Sequence, residues 1–337
     1  MASQSLAVKY RPQSFDDMTE QGAIKSILTN QINTKTFKHG YLFTGPAGTG
    51  KTTSARIFAD MINDKKGNPI EIDAASNSGV DNIRNIIDDA KRKPLDAEYK
   101  VFIIDECHSL SSGAWQALLK TLEEPPKFSI FILCTTDPQK IPNTILSRVQ
   151  RYNFQKISNE GIVQRLRYIL YCEEKIADND AVEYIAKSSN GGCRDAITLL
   201  DKCLSLSNEL TLENVLKTIG AEDYDTFLSL CTALTNKNEG TSISLIEQIY
   251  NSGKDVKQFM KEFSKFLLDV AKYTIYGDFK YVSLPQTMES DLQNLSSVAS
   301  DVFSVIDFVV ALNNQIKWDN DPKTLVELSI LTYCRKE

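Results

Sequence analysis

Histidine is scarce in this chain, with two residues in 337, and the seven cysteines, at 107, 134, 172, 193, 203, 231 and 334, never form the close pairs that zinc modules use. Their odd number argues against a disulfide framework, and most read as small core residues. No run approaches the roughly 20 apolar residues of a membrane span, and Met1-Ala-Ser-Gln-Ser5 lacks the charged and apolar blocks of a signal peptide. A cytoplasmic place with no membrane partner is expected. There is no tandem repeat and no low-complexity tail. A strong basic excess is also missing: the net charge is −6, so contact with nucleic acid would need a local basic patch. What remains is an ordinary globular composition, 42% hydrophobic, enough for a sizeable core divided among two or three domains.

The most informative stretch is Gly45-Pro46-Ala47-Gly48-Thr49-Gly50-Lys51-Thr52, a complete GxxxxGK[ST] phosphate loop. Its glycines let successive backbone N–H groups turn toward phosphates, Lys51 reaches the β/γ oxygens, and the Thr52 hydroxyl can ligate Mg²⁺. Tyr41–Thr44 before it is β-prone and the run from Thr53 to Ala59 has helical spacing, so the loop opens a helix whose N-terminus favours anions. Downstream, Val101–Ile104 is an unbroken apolar run ending in Asp105-Glu106. It reads as a buried parallel strand with two carboxylates at its C-terminal end. Ligands gather there in open α/β sheets, so Asp105 can order Mg²⁺ while Glu106 polarises the attacking water.

Strand signals at Tyr41–Thr44, Ile70–Ile72, Val101–Ile104 and Ile130–Thr135 alternate with helical segments up to about Phe154, which predicts a parallel α/β domain. Beyond Ser158 the chain reads as helical: 162–170, 181–186, 196–206, 227–234, 243–250, 256–275 and 302–316 carry apolar stripes. Asn190-Gly-Gly192 breaks two of these helices, and Gly220–Asp223 reads as another joint. His39 and His108 have no cysteine pair beside them and read as structural rather than metal-binding or catalytic. Lys91-Arg92-Lys93 reads as a solvated helix end.

Several motifs carry a family likeness. They are Leu6-Ala-Val-Lys-Tyr-Arg-Pro12, the phosphate loop, Ile70-Glu-Ile-Asp-Ala-Ala-Ser76, Asp105-Glu-Cys-His108, Ala117-Leu-Leu-Lys-Thr-Leu-Glu-Glu-Pro-Pro126, Thr135-Thr-Asp-Pro-Gln-Lys140 and Leu146-Ser-Arg148. Together they closely resemble the bacterial DNA polymerase III gamma/tau family, the motor of the sliding-clamp loader. The likeness is dense over the first two-thirds and returns in the segment from Ile316 to Leu331. It implies an α/β AAA+ P-loop domain over 1–155, with a parallel sheet flanked by helices. An α-helical lid over 156–219 and an α-helical collar and oligomerisation domain over 220–337 would follow.

Carried over by motif, the resemblance implies that Val8, Tyr10, Arg11 and Pro12 lie beside adenine. The loop from Gly45 to Thr53 would hold the phosphates, and Thr52 with Asp105 the Mg²⁺. Glu106 is implied as the catalytic acid and Thr136 as the sensor-1 residue, with Thr135 beside it as the alternative. Gly192-Cys-Arg194-Asp195 matches the sensor-2 motif, which places Arg194 in the first turn of a lid helix within reach of the β/γ-phosphates. Ser147-Arg148 matches the trans-acting arginine finger, which makes hydrolysis depend on assembly. Arg84 stands where clamp-loader small subunits carry a DNA-contacting arginine. Lys91, seven residues on in a helix expected over Asp81–Lys93, shares its face, and Lys120 adds to the patch.

Two departures matter. The family's bacterial members insert a four-cysteine zinc module where Met61–Pro69 here bridges directly, so no structural zinc is expected. In this the chain is similar to the small subunits of eukaryotic, archaeal or phage clamp loaders. The sequence also ends without the long tau extension, and its compact form fits a phage source. Val149 replaces the usual Cys of Ser-Arg-Cys, a change of similar bulk that leaves the finger in place. The expected function is ATP hydrolysis that opens a ring-shaped sliding clamp and places it on primer–template DNA within a pentameric ring of clamp-loader subunits. The rivals are a nonhydrolysing scaffold subunit, which Lys51, Thr52, Asp105 and Glu106 oppose, and another AAA+ DNA motor.

Overall fold

Alternation along three strands sorts their residues onto two faces of one sheet. Tyr41, Phe43, Val101, Ile103, Ile130, Ile132 and Cys134 pack into one cluster with Leu28 and Phe58, while Leu42, Phe102, Ile104, Phe131 and Leu133 pack into the other with Ile83, Trp115 and Leu118. Side chains of a strand alternate faces, so a run that is apolar at every position is covered on both sides. The computed structural model describes residues 4–219, 224–284, 288–296 and 299–335. The joint expected at Gly220–Asp223 lies outside them.

The chain forms two compact units, Met1–Ala177 with Ile185–Leu210, and Asp178–Tyr184 with Thr211–Glu337. In the first, α1 (Leu6–Lys9) and α2 (Gly22–Thr34) precede β1 (Gly40–Thr44), and α3 (Lys51–Ile62) leads to β2 (Ile70–Asp73). Then come α4 (Val80–Ala90), β3 (Lys100–Asp105), α5 (Ser112–Glu123), β4 (Ser129–Thr135), α6 (Asn143–Leu146) and β5 (Gln150–Asn153). All five strands are parallel, in the order β2-β3-β4-β1-β5. The phosphate loop therefore leaves the C-terminal end of β1, and Asp105 ends β3 with only β4 between them. Burial of β1 and β4 is complete, whereas edge strand β2 alternates.

After the sheet come α7 (Asn159–Cys172), β6 (Ile176–Ala177), α8 (Asn179–Ser188), α9 (Cys193–Leu206) and β7 (Glu209–Leu210), with β6 and β7 paired in parallel. Asn190 and Gly191 take positive φ between α8 and α9, the break expected there. The remaining helices are α10 (Leu212–Ile219), α11 (Tyr224–Thr235), α12 (Glu239–Asn251), α13 (Val256–Tyr276), α14 (Glu289–Ser296), α15 (Ala299–Ile316) and α16 (Pro322–Arg335). Their core centres on α13, where Phe259, Phe263 and Phe266 surround Phe227 of α11 at ring separations of 4.9 to 5.8 Å. Among the described residues no single helix is long and apolar enough to cross a membrane.

The structure corrects two expectations. It adds β5, which the sequence does not predict, because in Gln-Arg-Tyr-Asn only Tyr152 is buried and an edge strand of this polarity has no apolar run. The helix expected over Asp81–Lys93 spans Val80–Ala90, with Lys91 as its C-cap. Ile83, Ile86 and Ala90 are its buried stripe, whereas Lys91-Arg92-Lys93 offers nothing apolar to bury and Pro94 disfavours the helical conformation at Lys93.

Candidate active site

Gly45 leaves β1 with φ +147°, and a Cβ there would stand 2.4 Å from the Phe154 carbonyl oxygen. Only glycine turns the chain so sharply against β5. The loop then closes on itself: the Thr49 hydroxyl donates to the Pro46 carbonyl at 2.9 Å, and Lys51 Nζ donates to the carbonyls of Gly45 and Pro46 at 2.8 and 2.7 Å. Burial pushes the Lys51 ammonium below its ordinary value, opposed by Glu106, Cys134 and Asp105. A buried cation held only by carbonyl dipoles favours an incoming anion.

Across the loop the Thr52 hydroxyl donates to Asp105 Oδ2 at 2.8 Å, and the Glu106 N–H donates to Asp105 Oδ1 at 3.0 Å. Burial still raises the Asp105 carboxyl above the usual range, against the pull of those two bonds. A bound cation would relieve that penalty. Thr52 and Asp105 thus converge as two hard oxygen donors of the kind Mg²⁺ takes alongside phosphate oxygens, beside a lysine suited to the phosphates.

Glu106 follows at φ +45°, a left-handed conformation unusual for this residue type. Its Oε2 accepts from the Thr136 hydroxyl at 3.0 Å and lies 3.2 Å from His108 Nδ1. Thr135, the last residue of β4, is fully buried and turns its hydroxyl instead to His108 Nδ1, at 3.1 Å, and to the backbone N–H of Asp137. Of the two threonines, Thr136 is the one on Glu106.

Lys51, Thr52, Asp105 and Glu106 open onto a cavity of about 270 Å³, whereas Gly45, Pro46, His108, Thr135 and Thr136 are not part of its lining. Of the residues singled out by sequence, Tyr10, Arg11, Pro12, the loop from Ala47 to Thr53, Asp105, Glu106 and Arg194 line it. Val8 does not: its side chain is half-exposed and Ala7 takes the wall. Arg194 arrives on the first turn of α9, whose Cys193 N–H donates to the Gly48 carbonyl at 3.0 Å. Arg148 stands outside the cavity, its guanidinium on Glu123 Oε1 at 2.6 Å, the Thr144 carbonyl at 2.6 Å and the Ser147 hydroxyl at 2.9 Å. Arg84 and Lys91 are exposed and paired on their own element with Asp81 and Asp88, at 3.1 and 2.7 Å. Lys120 is exposed on α5, which packs against α4.

Sequence reasoning missed Met18, Ile157 and Arg165, which also line the cavity. Arg165, on α7, donates to the Tyr10 carbonyl at 2.5 Å and lies over the Tyr168 ring. It ties the segment around Tyr10 to α7. No motif marks it, because an isolated arginine on an amphipathic helix reads as a solvated face.

Residues 70–158 match the sequence family described as DNA polymerase III, delta subunit, and residues 161–209 match the DNA polymerase III clamp loader subunit, ATPase lid domain. The chain is 37% identical to DNA polymerase III subunit tau of Bacillus subtilis, over 99% of this chain and 64% of that protein. It is 34% identical to subunit gamma/tau of Mycoplasma genitalium, over 84% of this chain and 51% of that protein. It thus spans between half and two-thirds of the length of these two relatives. With subunit gamma of Buchnera aphidicola it shares 30% identity over 98% of both chains. Among solved structures, the RuvB Holliday junction branch migration motor of Thermotoga maritima superposes with a TM-score of 0.53 at 21% identity, covering 67% of this chain and 79% of that one. That likeness fixes the AAA+ fold of the sheet and its helices. From the full-length match to subunit gamma and the lid-domain match, the chain belongs to the DNA polymerase III gamma/tau family.

Proposed function

We propose that the chain is an ATP-hydrolysing clamp-loader subunit that works in a ring with other subunits, opens a sliding clamp and releases it on primer–template DNA. The observation that carries this reading is the convergence of Lys51, the Thr52–Asp105 pair and Glu106 on one cavity. Lys51 exchanges its carbonyl partners for β/γ-phosphate oxygens, and the loop N–H groups at the start of α3 add to that charge. Thr52 and Asp105 would hold Mg²⁺, which would supply charge neutralisation for the phosphate oxygens. Glu106 accepts a proton from the attacking water as its oxygen bonds to the γ-phosphorus. The bond from that phosphorus to the bridging oxygen breaks, and its electron pair leaves with ADP.

Thr136 holds Glu106 and stands at the γ-phosphate end, and Arg194 is carried on the helix that abuts the loop. Arg148 does not serve its own cavity, which supports a role at the site of a neighbouring subunit. The domain division proposed is 1–155, 156–219 and 220–337, the last forming the collar. No zinc takes part, and the work is done in the bacterial cytoplasm. Arg84, Lys91 and Lys120 are proposed to face DNA, with Asp81 and Asp88 giving way to phosphates.

The test is a loading assay with the partner subunits, a clamp and primed DNA. ATP-dependent retention of the closed clamp on DNA by wild type, lost in Lys51→Ala, is expected. Loading that proceeds equally without ATP would leave the chain as a scaffold.

A further inference from the structure

We infer that His108 is a positioning residue for Glu106, an inference that rests on the ATPase reading above. His108 Nδ1 lies 3.2 Å from Glu106 Oε2 and 3.1 Å from the Thr135 hydroxyl oxygen. An ionised carboxylate offers only acceptors, so attraction at that distance requires the hydrogen on Nδ1. The Thr135 oxygen already accepts from the Asp137 N–H at 3.0 Å and is fully buried at the end of β4. It therefore anchors the same ring nitrogen to the buried end of β4, with the single Nδ1 hydrogen shared between the Thr135 oxygen and Glu106 Oε2. The result is a relay of position from β4 through Thr135 and His108 to Glu106.

The opposite flank is closed by the Thr136 hydroxyl, which reaches the same Oε2 at 3.0 Å. With Oε2 bonded by the Thr136 hydroxyl and flanked by His108 Nδ1 at 3.2 Å, Oε1 is the oxygen left to meet the water. Glu106 needs such bracing, because its left-handed backbone leaves the turn after β3 without the support of the strand ladder. Displacing a reacting group by about 1 Å costs on the order of 10²-fold in rate, so an untethered carboxylate is an inferior base even where ATP binds normally.

Three substitutions of His108 separate this role from simple packing. An asparagine side chain would place a nitrogen near the position of Nδ1, a glutamine reaches toward the position of Nε2, and a leucine fills the space with no donor. In the full chain assembled with its partner subunits, His108→Leu and His108→Gln should lower the single-turnover hydrolysis rate by about 10- to 100-fold, with the ATP dissociation constant within about twofold of wild type. His108→Asn should stay within about threefold of the wild-type rate. Equal rates in all three variants and wild type, equal loss in all three, or a matching loss of ATP affinity would overturn the assignment. Should His108→Leu fail to fold, His108→Asn against His108→Gln carries the comparison.

A second readout does not use activity. With only two histidines, labelled imidazole nitrogens give two spin systems. The His108 pattern should be that of the Nδ1–H tautomer and should shift in Glu106→Gln while that of His39 stays in place. An unchanged His108 signal would refute the contact. Full turnover in Glu106→Gln would instead sink the ATPase reading itself, with the imidazole shift left intact.

Discussion

Gly48→Ala tests whether the phosphate loop and α9 close the nucleotide site as one piece. Gly48 has φ +71°, and a Cβ there would lie 3.0 Å from the Gly192 Cα and 3.4 Å from the Arg194 N. The left-handed backbone costs an alanine about 1–2 kcal/mol. Pushing the seam apart also weakens the bond from the Cys193 N–H to the Gly48 carbonyl, worth about 1 kcal/mol. The closed pocket should lose about 2–3 kcal/mol, which caps the fall in ATP affinity at about 30- to 150-fold. Gly67→Ala is the control. It has φ +68° and the same 3.0 Å approach, to the Ala97 Cβ, away from the nucleotide cavity. Both variants should lower the melting temperature by a few degrees in a unit of about 200 residues. Only Gly48→Ala should weaken ATP in titration calorimetry. Wild-type affinity in Gly48→Ala, or equal weakening in Gly67→Ala, would refute the coupling.

Arg148→Ala should bind ATP almost normally yet lose turnover in the assembled complex, by up to about 10³-fold. Mixing experiments in which the variant still supports hydrolysis at every interface would remove the trans role. Burial pushes the Cys193 thiol up to about 11, so at pH 8 only about 10⁻³ of it is thiolate. Exposed Cys172 should therefore alkylate well before Cys193, and labelling of Cys193 should accelerate as pH rises toward 11. Mass spectrometry of the labelled peptides reads this, and equal rates at pH 8 would contradict the buried site. The Arg84→Ala, Lys120→Ala double variant should keep basal ATP turnover while losing DNA stimulation, with a salt dependence flatter by about one unit per lost phosphate contact. Unchanged stimulation across a salt series would take that patch out of the DNA path.

What can be read from sequence is local. The loop from Gly45 to Thr52 and the pair Asp105-Glu106 are contiguous, and each follows an apolar run whose strand identity is plain from its own composition. The roles of Thr135 and Thr136 are not separable there, because two identical neighbours sit where β4 ends and only its register decides which hydroxyl is buried. Motif likeness puts position 8 on the adenine side, but the short helix α1 turns Ala7 inward and leaves Val8 half-exposed. Arg165 and Met18 reach the cavity through tertiary packing, which no spacing encodes. The Glu123–Arg148 pair joins the end of α5 to the turn after α6, an ion pair across 25 positions of chain. β5 is hidden because a polar edge strand draws its stability from pairing with β1 rather than from its own side chains.

The central claim is that Lys51 binds and Glu106 does chemistry. It is tested most directly by measuring ATP affinity and single-turnover hydrolysis separately in Lys51→Ala and Glu106→Gln, in the full chain with its partner subunits. Lys51→Ala should lose binding. Glu106→Gln should keep affinity within a few-fold while hydrolysis falls by about 10²-fold or more, because only the second removes a group needed in the transition state alone. Equal loss of binding in both variants, or full turnover in Glu106→Gln, would contradict the account.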